Sequence, residues 1–285
     1  VANTKKLFTA LTMRGPHRVL CGELSVAGVP GMVFTPEEGT GLPAVAFAHG
    51  WLIDPDRYAG TLRHLASWGI VAAAPRTQRG PVPSHLDMAA DLGTALEVCS
   101  TVRLGPGEIS VHPDRLGVAG HGMGGSAAVL AAAGRPDLRA VAALFPQPSA
   151  PPAVSVAADI SAPLLATVTP GDAVNTTSIG RLLAAGWGGK SVVRSVDKAS
   201  NEGLAEGRNL LSLLGYSGPQ HGTQRVVRAL LTGFLLHHLG DNSTYSAFAA
   251  LGDPAAQEVL PDTVAVDPNG TPEPPKSLMQ QLIRR

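Results

Sequence analysis

Aromatic residues are scarce in this chain of 285, with three Trp, three Tyr and six Phe. A core built without them draws mainly on Ala, Val and Leu and packs small side chains closely. Charge is sparse too, at 15% of residues, where an average soluble protein has about 25%. It is also balanced, 22 basic residues against 22 acidic. That balance argues against a broad basic surface for nucleic acid and against an acidic tail. Cysteine is limited to Cys21 and Cys99, so one bridge is the most the chain can form and a disulfide scaffold is excluded. Cys99 closes an apolar helical pattern and reads as a buried thiol. The nine histidines include the adjacent pair His237 and His238, but no HExxH or similar cluster occurs, so neither a metal nor a cofactor is expected. No apolar run approaches the roughly 18–20 residues of a membrane span. Val1 to Lys6 is not followed by an apolar region long enough for a signal peptide, which makes a cytoplasmic location the expectation.

Glycine and proline are what the chain has in excess, at 33 and 24 residues, and they punctuate it into short elements. Val19–Leu24 and Val29–Thr35 read as two strands joined by a Gly-rich turn. The apolar run Ala44–Ala48 suits a strand covered on both faces and ends at His49-Gly50-Trp51. Asp56–Trp68 reads as a helix with Tyr58, Leu62 and Leu65 on one side, and Ile70–Ala74 as the next strand. Ser84 caps a long helix running to about Cys99. Val111–Arg115 reads as a turn into the strand Leu116–Ala119, and a small-residue helix follows to Ala133. Strands are expected at Val141–Phe145, Leu164–Val168 and Lys190–Val196. Helices are expected at Ile179–Ala185, Gly203–Leu214, Thr223–Leu239 and Tyr245–Leu251. The alternation of strand and helix predicts an α/β architecture, a mostly parallel sheet with helices on both faces. Residues 1–260 read as one domain, and 261–285 as a Pro-rich extension.

In such sheets the working groups sit on loops after the carboxyl ends of strands. Gly120-His121-Gly122-Met123-Gly124-Gly125 is the most distinctive of these loops. Gly120, Gly122 and Gly125 fit the dinucleotide fingerprint literally. However, the next strand ends Ala143-Leu144-Phe145-Pro146-Gln147, without the acid that would hold a ribose. The other reading is the G-x-S-x-G nucleophile elbow, a sharp strand-to-helix turn that lifts its central side chain over the sheet. Gly120 and Gly124 take its small flanking positions, but the centre is Gly122.

These stretches resemble a bacterial α/β-hydrolase of the dienelactone hydrolase or cutinase-like (polyester hydrolase) type. "PAVAFAHGW", Pro43 to Trp51, is similar to the strand and oxyanion turn. "HPDRLGVAGHGMGG", His112 to Gly125, is similar to the elbow in all but the serine, and "GDNSTYSAF", Gly240 to Phe248, to the last helical region. The resemblance covers about Gly22 to Leu251. It implies a nucleophile position at Gly122, an acid at Asp172 and a base within Lys198-Ala199-Ser200-Asn201, at Asn201. It also implies oxyanion donors from the N–H groups of Trp51 and Met123, with His49 and Gly50 shaping that turn. His221, before a long helix, is the backup candidate for the base.

Glycine brings no heteroatom, and a carboxamide does not take up a proton near neutral pH. A triad acts as a unit, so losing members leaves about 10³–10⁴-fold catalysis from the oxyanion hole and binding. The expectation is therefore an α/β-hydrolase-like protein without triad catalysis that binds a small apolar or acyl ligand, or a protein partner. Two alternatives stay open. One is an active ester-type hydrolase in which His221 or Asp172 activates a water over Gly122. The other is a structural or interaction protein with a collapsed cleft. His121 is expected to point away from the cleft into a hydrogen-bonded supporting position, Ser126 to be a packed small residue, and Asp54 and Asp56 to cap a helix start.

Overall fold

The computed structural model describes residues 2–170, 178–207 and 218–250. Eight strands form one sheet in the order β1-β2-β4-β3-β5-β6-β7-β8. β1 (Val19–Glu23) and β2 (Gly31–Pro36) form an antiparallel hairpin. β2 in turn runs antiparallel to β4 (Val71–Pro75). The remaining strands, β3 (Leu42–Ala48), β5 (Val111–His121), β6 (Ala140–Leu144), β7 (Leu164–Val168) and β8 (Ser191–Ser195), pair in parallel, as β3 also does with β4. The order reverses between β3 and β5, a switch point where ligand crevices open in sheets of this type.

Residues alternating along each strand serve opposite faces, as the pleat requires. Ala44, Ala46 and Ala48 belong to one core with α3 (His85–Thr101), α4 (Met123–Ala133) and α5 (Gly180–Ala185). Val45 and Phe47 belong to the other, with α1 (Ala2–Leu11), α2 (Ala59–Ser67) and α6 (His221–His238). Alanine dominates β3, β4 and β6, where helices lie close on both sides. Ser84 caps α3, its hydroxyl accepting from the Asp87 N–H. Asp54 accepts from the Asp56 N–H and opens the 3-10 turn Pro55–Tyr58 ahead of α2. Cys99 is fully buried with its thiol pushed up to about 12 by desolvation, and neither cysteine is bridged.

Several expectations are corrected. Val111–Arg115 belongs to β5 rather than to a separate turn; the strand slips register against β3 between Leu42 and Ala44, and that irregularity accommodates Pro113 and Asp114. The expected helix Gly203–Leu214 begins instead as a 3-10 turn at Asn201–Leu204, and 208–217 lie outside the described residues. The segment from Ser243 to Phe248 is also 3-10 rather than α-helical. Helix α1 was not expected at all; Phe8 and Leu11 bury against the α6 layer, and Phe8 stacks on Phe248. Among the described residues no helix is long and apolar enough to cross a membrane.

Candidate functional site

β5 and α4 meet at a turn whose flanking positions only glycine can fill. A Cβ on Gly120 would lie 2.1 Å from the Gly124 carbonyl oxygen, and one on Gly124 would lie 2.3 Å from the Ala48 oxygen. Gly122 has φ 55° and ψ −117°, a backbone region that costs a residue with a side chain of order 1–3 kcal/mol. Its N–H donates to the Leu144 carbonyl, and its own carbonyl accepts from Gly125 and Gln147. The result is a sharp strand-to-helix turn with glycine at its tip. The side chain of Ser126, one turn into α4, is buried and donates to the Gln147 carbonyl.

The space over Gly122 is lined by two carboxamides. From the position a Cβ would take there, Gln147 Oε1 is 3.2 Å away and Asn201 Oδ1 is 3.9 Å away. Gln147 was not a sequence-level candidate. It sits two residues past Phe145, whose positive φ of 47° turns the chain over the elbow just after β6. The rule that loops at strand carboxyl ends carry function would have found it; a search confined to acids and bases passes over an amide.

Beneath the elbow, one chain of hydrogen bonds ties the site loops together. The Gly50 N–H donates to the Tyr58 hydroxyl at 3.1 Å, Tyr58 Oη lies 2.6 Å from His121 Nδ1, and His121 Nε2 lies 2.8 Å from both the backbone O and Oδ1 of Asn201. His121 is 2% exposed. Burial drives its pKa down to about 4, outweighing the hydrogen bonds to Asn201 that favour the charged ring. Burial likewise raises the Tyr58 hydroxyl well above the usual range. His121 is therefore a neutral bridge.

The turn at His49-Gly50-Trp51 is braced from its other side. His49 is buried, and its ring nitrogens each lie 2.8 Å from a carbonyl oxygen, of Gly50 and of Thr77. Trp51 is 53% exposed on the rim, and its indole N–H donates to the Pro81 carbonyl. The backbone N–H groups of Trp51 and Met123 have no acceptor among the described residues, whereas that of Gly50 is used by Tyr58. His221 opens α6 as an exposed residue, and no hydrogen bond joins it to the elbow among the described residues. Asp172 lies outside the described residues. No group of three or more His, Cys, Asp or Glu that could hold a metal occurs among the described residues.

Glu206 fixes the loop that carries Asn201. Its carboxylate accepts from the Gly60 and Thr61 N–H groups and the Thr61 hydroxyl, and pairs with Arg228 at 2.8 Å. Arg57 adds bonds to the carbonyls of Glu206 and Gly207. Both partners of the ion pair are about one-fifth exposed. The Glu206→Ala variant should lose about 2–3 kcal/mol, since it strands Arg228 and the first N–H groups of α2. A urea midpoint shift worth under 0.5 kcal/mol would show that the loop does not depend on this anchor.

The sheet order, the two helical layers and the strand–elbow–helix turn define an α/β-hydrolase fold. The family to which residues 18–145 are similar is Chlorophyllase, serine-hydrolase-like and of the same fold. The match spans under half of the chain; it takes in the oxyanion turn and the elbow and ends before Gln147, Asp172 and Asn201. No curated protein matches the chain.

Proposed function

We propose that this protein binds an acyl-bearing small molecule at the carboxyl edge of its sheet and does not hydrolyse esters by a Ser–His–acid route. The observation that carries this reading is the elbow itself: its strained turn is intact, yet the atoms over Gly122 are carboxamides. Neither Gln147 nor Asn201 attacks a carbonyl or takes up a proton near neutral pH. Among the described residues the one imidazole bonded to this cluster, His121, is neutral, buried and engaged at both nitrogens. The resemblance to dienelactone hydrolase or cutinase-like enzymes and the partial chlorophyllase match support a serine-hydrolase ancestry for the scaffold. They extend to the place of the chemistry, and the residues there depart from what the chemistry needs.

A second reading has one observation in its favour. Gln147 Oε1 stands 3.2 Å from where a side chain at 122 would begin, so the cleft floor is occupied by the protein's own group. A structural or interaction protein with a filled cleft would look the same at that point. The N–H groups of Trp51 and Met123, which have no acceptor among the described residues, favour the ligand-binding reading, since a filled cleft would use them.

Incubation of the purified protein with short p-nitrophenyl esters tests the proposal. The expected result is release no faster than with an equal mass of inert protein. Turnover that survives purification and scales with protein concentration overturns it.

A further inference from the structure

The overall balance of charge conceals a separation along the chain. The first 22 residues carry Lys5, Lys6, Arg14 and Arg18 and no acid. Between Leu251 and Pro275 the sign is reversed: Asp253, Glu258, Asp262, Asp267 and Glu273 occur there with no Lys, Arg or His. Arg18 is engaged by Glu37 at 3.7 Å, whereas Lys6 and Arg14 have no ion pair among the described residues.

Helix α1 turns Phe8 and Leu11 into the core. Residues three and four apart share a face, so positions 5, 6, 9, 10 and 13 lie on its outer side. Lys5, Lys6, Thr9, Ala10 and Met13 line a shallow groove of about 590 Å³ there. Met13, 63% exposed, puts a large apolar side chain at one end of it. The groove thus joins an apolar floor to a cationic border. The last described residues lie beside the same helix: Phe248 stacks on Phe8 at 6.5 Å, and the Ala250 carbonyl accepts from Arg194.

From Ala250 the chain needs only to cross this helix. A helix with its side chains is about 10–12 Å wide, and the stretch from Leu251 to Glu258 reaches at most about 26–29 Å. We propose that the outer face of α1 is the docking site of the chain's own segment Glu258-Val259-Leu260-Pro261-Asp262. Glu258 pairs with Lys5 or Lys6, Val259 and Leu260 cover Ala10 and Met13, and Asp262 meets Arg14. In an extended chain the two acids stand about 13 Å apart, close to the length of about 15 Å of the ten-residue helix. Pro261 biases Leu260 toward that extended form. Exposed ion pairs are individually weak, but a short tether supplies an effective concentration in the millimolar range. A contact of that strength is populated within one molecule and not between two at micromolar concentration, which favours this occupant over a second copy.

Full-length protein, mixed from equal parts of unlabelled and ¹⁵N-labelled chains at micromolar concentration, is treated with a water-soluble carbodiimide, which joins lysine amines to carboxylates in contact. Mass spectrometry is expected to find Lys5 or Lys6 joined to Glu258 or Asp262, with both peptides from the same isotope pool. The yield should fall several-fold at about 1 M salt, where the screening length shrinks to about 3 Å. As a second readout, the Lys5→Gln, Lys6→Gln double variant removes both charges at exposed positions with little change in helix propensity. A glutamate-specific protease should cut after Glu258 about fivefold faster in this variant than in wild type, at an unchanged melting temperature. Absence of the lysine–carboxyl pairs, pairs mainly across the two isotope pools, or equal cleavage of both proteins overturns the inference. Pairs across the pools assign the face to a second copy. Flotation with phosphatidylserine vesicles that the double variant abolishes, without the lysine–carboxyl pairs, assigns it to an anionic membrane. None of these outcomes bears on ester turnover, so the non-hydrolytic reading stands or falls separately.

Discussion

The Gly122→Ser, Asn201→His double variant is expected to hydrolyse p-nitrophenyl acetate at least about 100-fold faster than Gly122→Ser alone. A positioned general base contributes typically 10²–10⁴-fold, and among the described residues none stands free at the elbow. The single variant places a hydroxyl at the tip of the turn, but its neighbours are Gln147 and Asn201, and His121 is held neutral beneath it. A ring at position 201 starts from a backbone whose present side chain comes within 3.9 Å of the 122 Cβ position. The bond from His121 Nε2 to the Asn201 backbone carbonyl survives the change, so the loop keeps one of its two contacts with the bridge. Both variants carry a stability cost. Serine at φ 55° is strained by of order 1–3 kcal/mol, and the Gln147 carboxamide, 3.2 Å from the new Cβ, must move by a few tenths of an ångström or more. Initial rates over a dilution series decide the matter. If Gly122→Ser alone matches the double variant, a base other than residue 201 serves the elbow, and the assignment of Asn201 to that position fails.

Much of the fold was legible because it rests on local pattern. The apolar runs at Ala44–Ala48, Val141–Phe145 and Leu164–Val168 are strands covered on both faces, and the structure places each within two residues of its expected bounds. Ser84 and Asp54 announced their helix starts through the chemistry of capping. Helix α1 escaped notice because only Leu7, Phe8 and Leu11 give it an apolar side, too little periodicity over ten residues; its burial against α6 is a tertiary fact. The β5 extension was hidden because Pro113 and Asp114 carry turn chemistry even where the strand absorbs them as an irregularity. At the site, the glycine turn was readable from its spacing. The bridge from Gly50 through Tyr58 and His121 to Asn201 was not, because it joins residues 8, 63 and 80 positions apart through hydrogen bonds that leave no spacing rule. Gln147 was hidden for a different reason. Amides are ordinary loop residues, and only the positive φ at Phe145 and the bond from Ser126 reveal why this one lies over the elbow.

Acid should weaken the protein in part through His121. Its folded pKa of about 4 lies below the ordinary histidine value of 6.5, with desolvation as the main cause. Between those values the unfolded chain binds a proton that the native protein refuses, so the stability from keeping the ring neutral is full above about pH 6.5 and is lost as pH falls toward 4. The loss by pH 4 is about 3 kcal/mol for this one group. His64 and His238 also have pKa values driven down to about 4, mainly by burial, and they act in the same direction. So do Asp54, Asp137 and Asp241, whose carboxyls are held low by neighbouring arginines and, for Asp54, also by the Asp56 N–H. The total acid sensitivity therefore does not isolate the bridge, but a comparison does. His121→Gln removes the titrating ring while keeping an amide that can both donate and accept. Its unfolding free energy, from urea titrations at pH 7 and pH 4, should fall by about 3 kcal/mol less than that of wild type. Equal losses in the two proteins would mean that the ring accepts its proton without breaking the bridge. Asn201 would then be held by a charged histidine at acid pH.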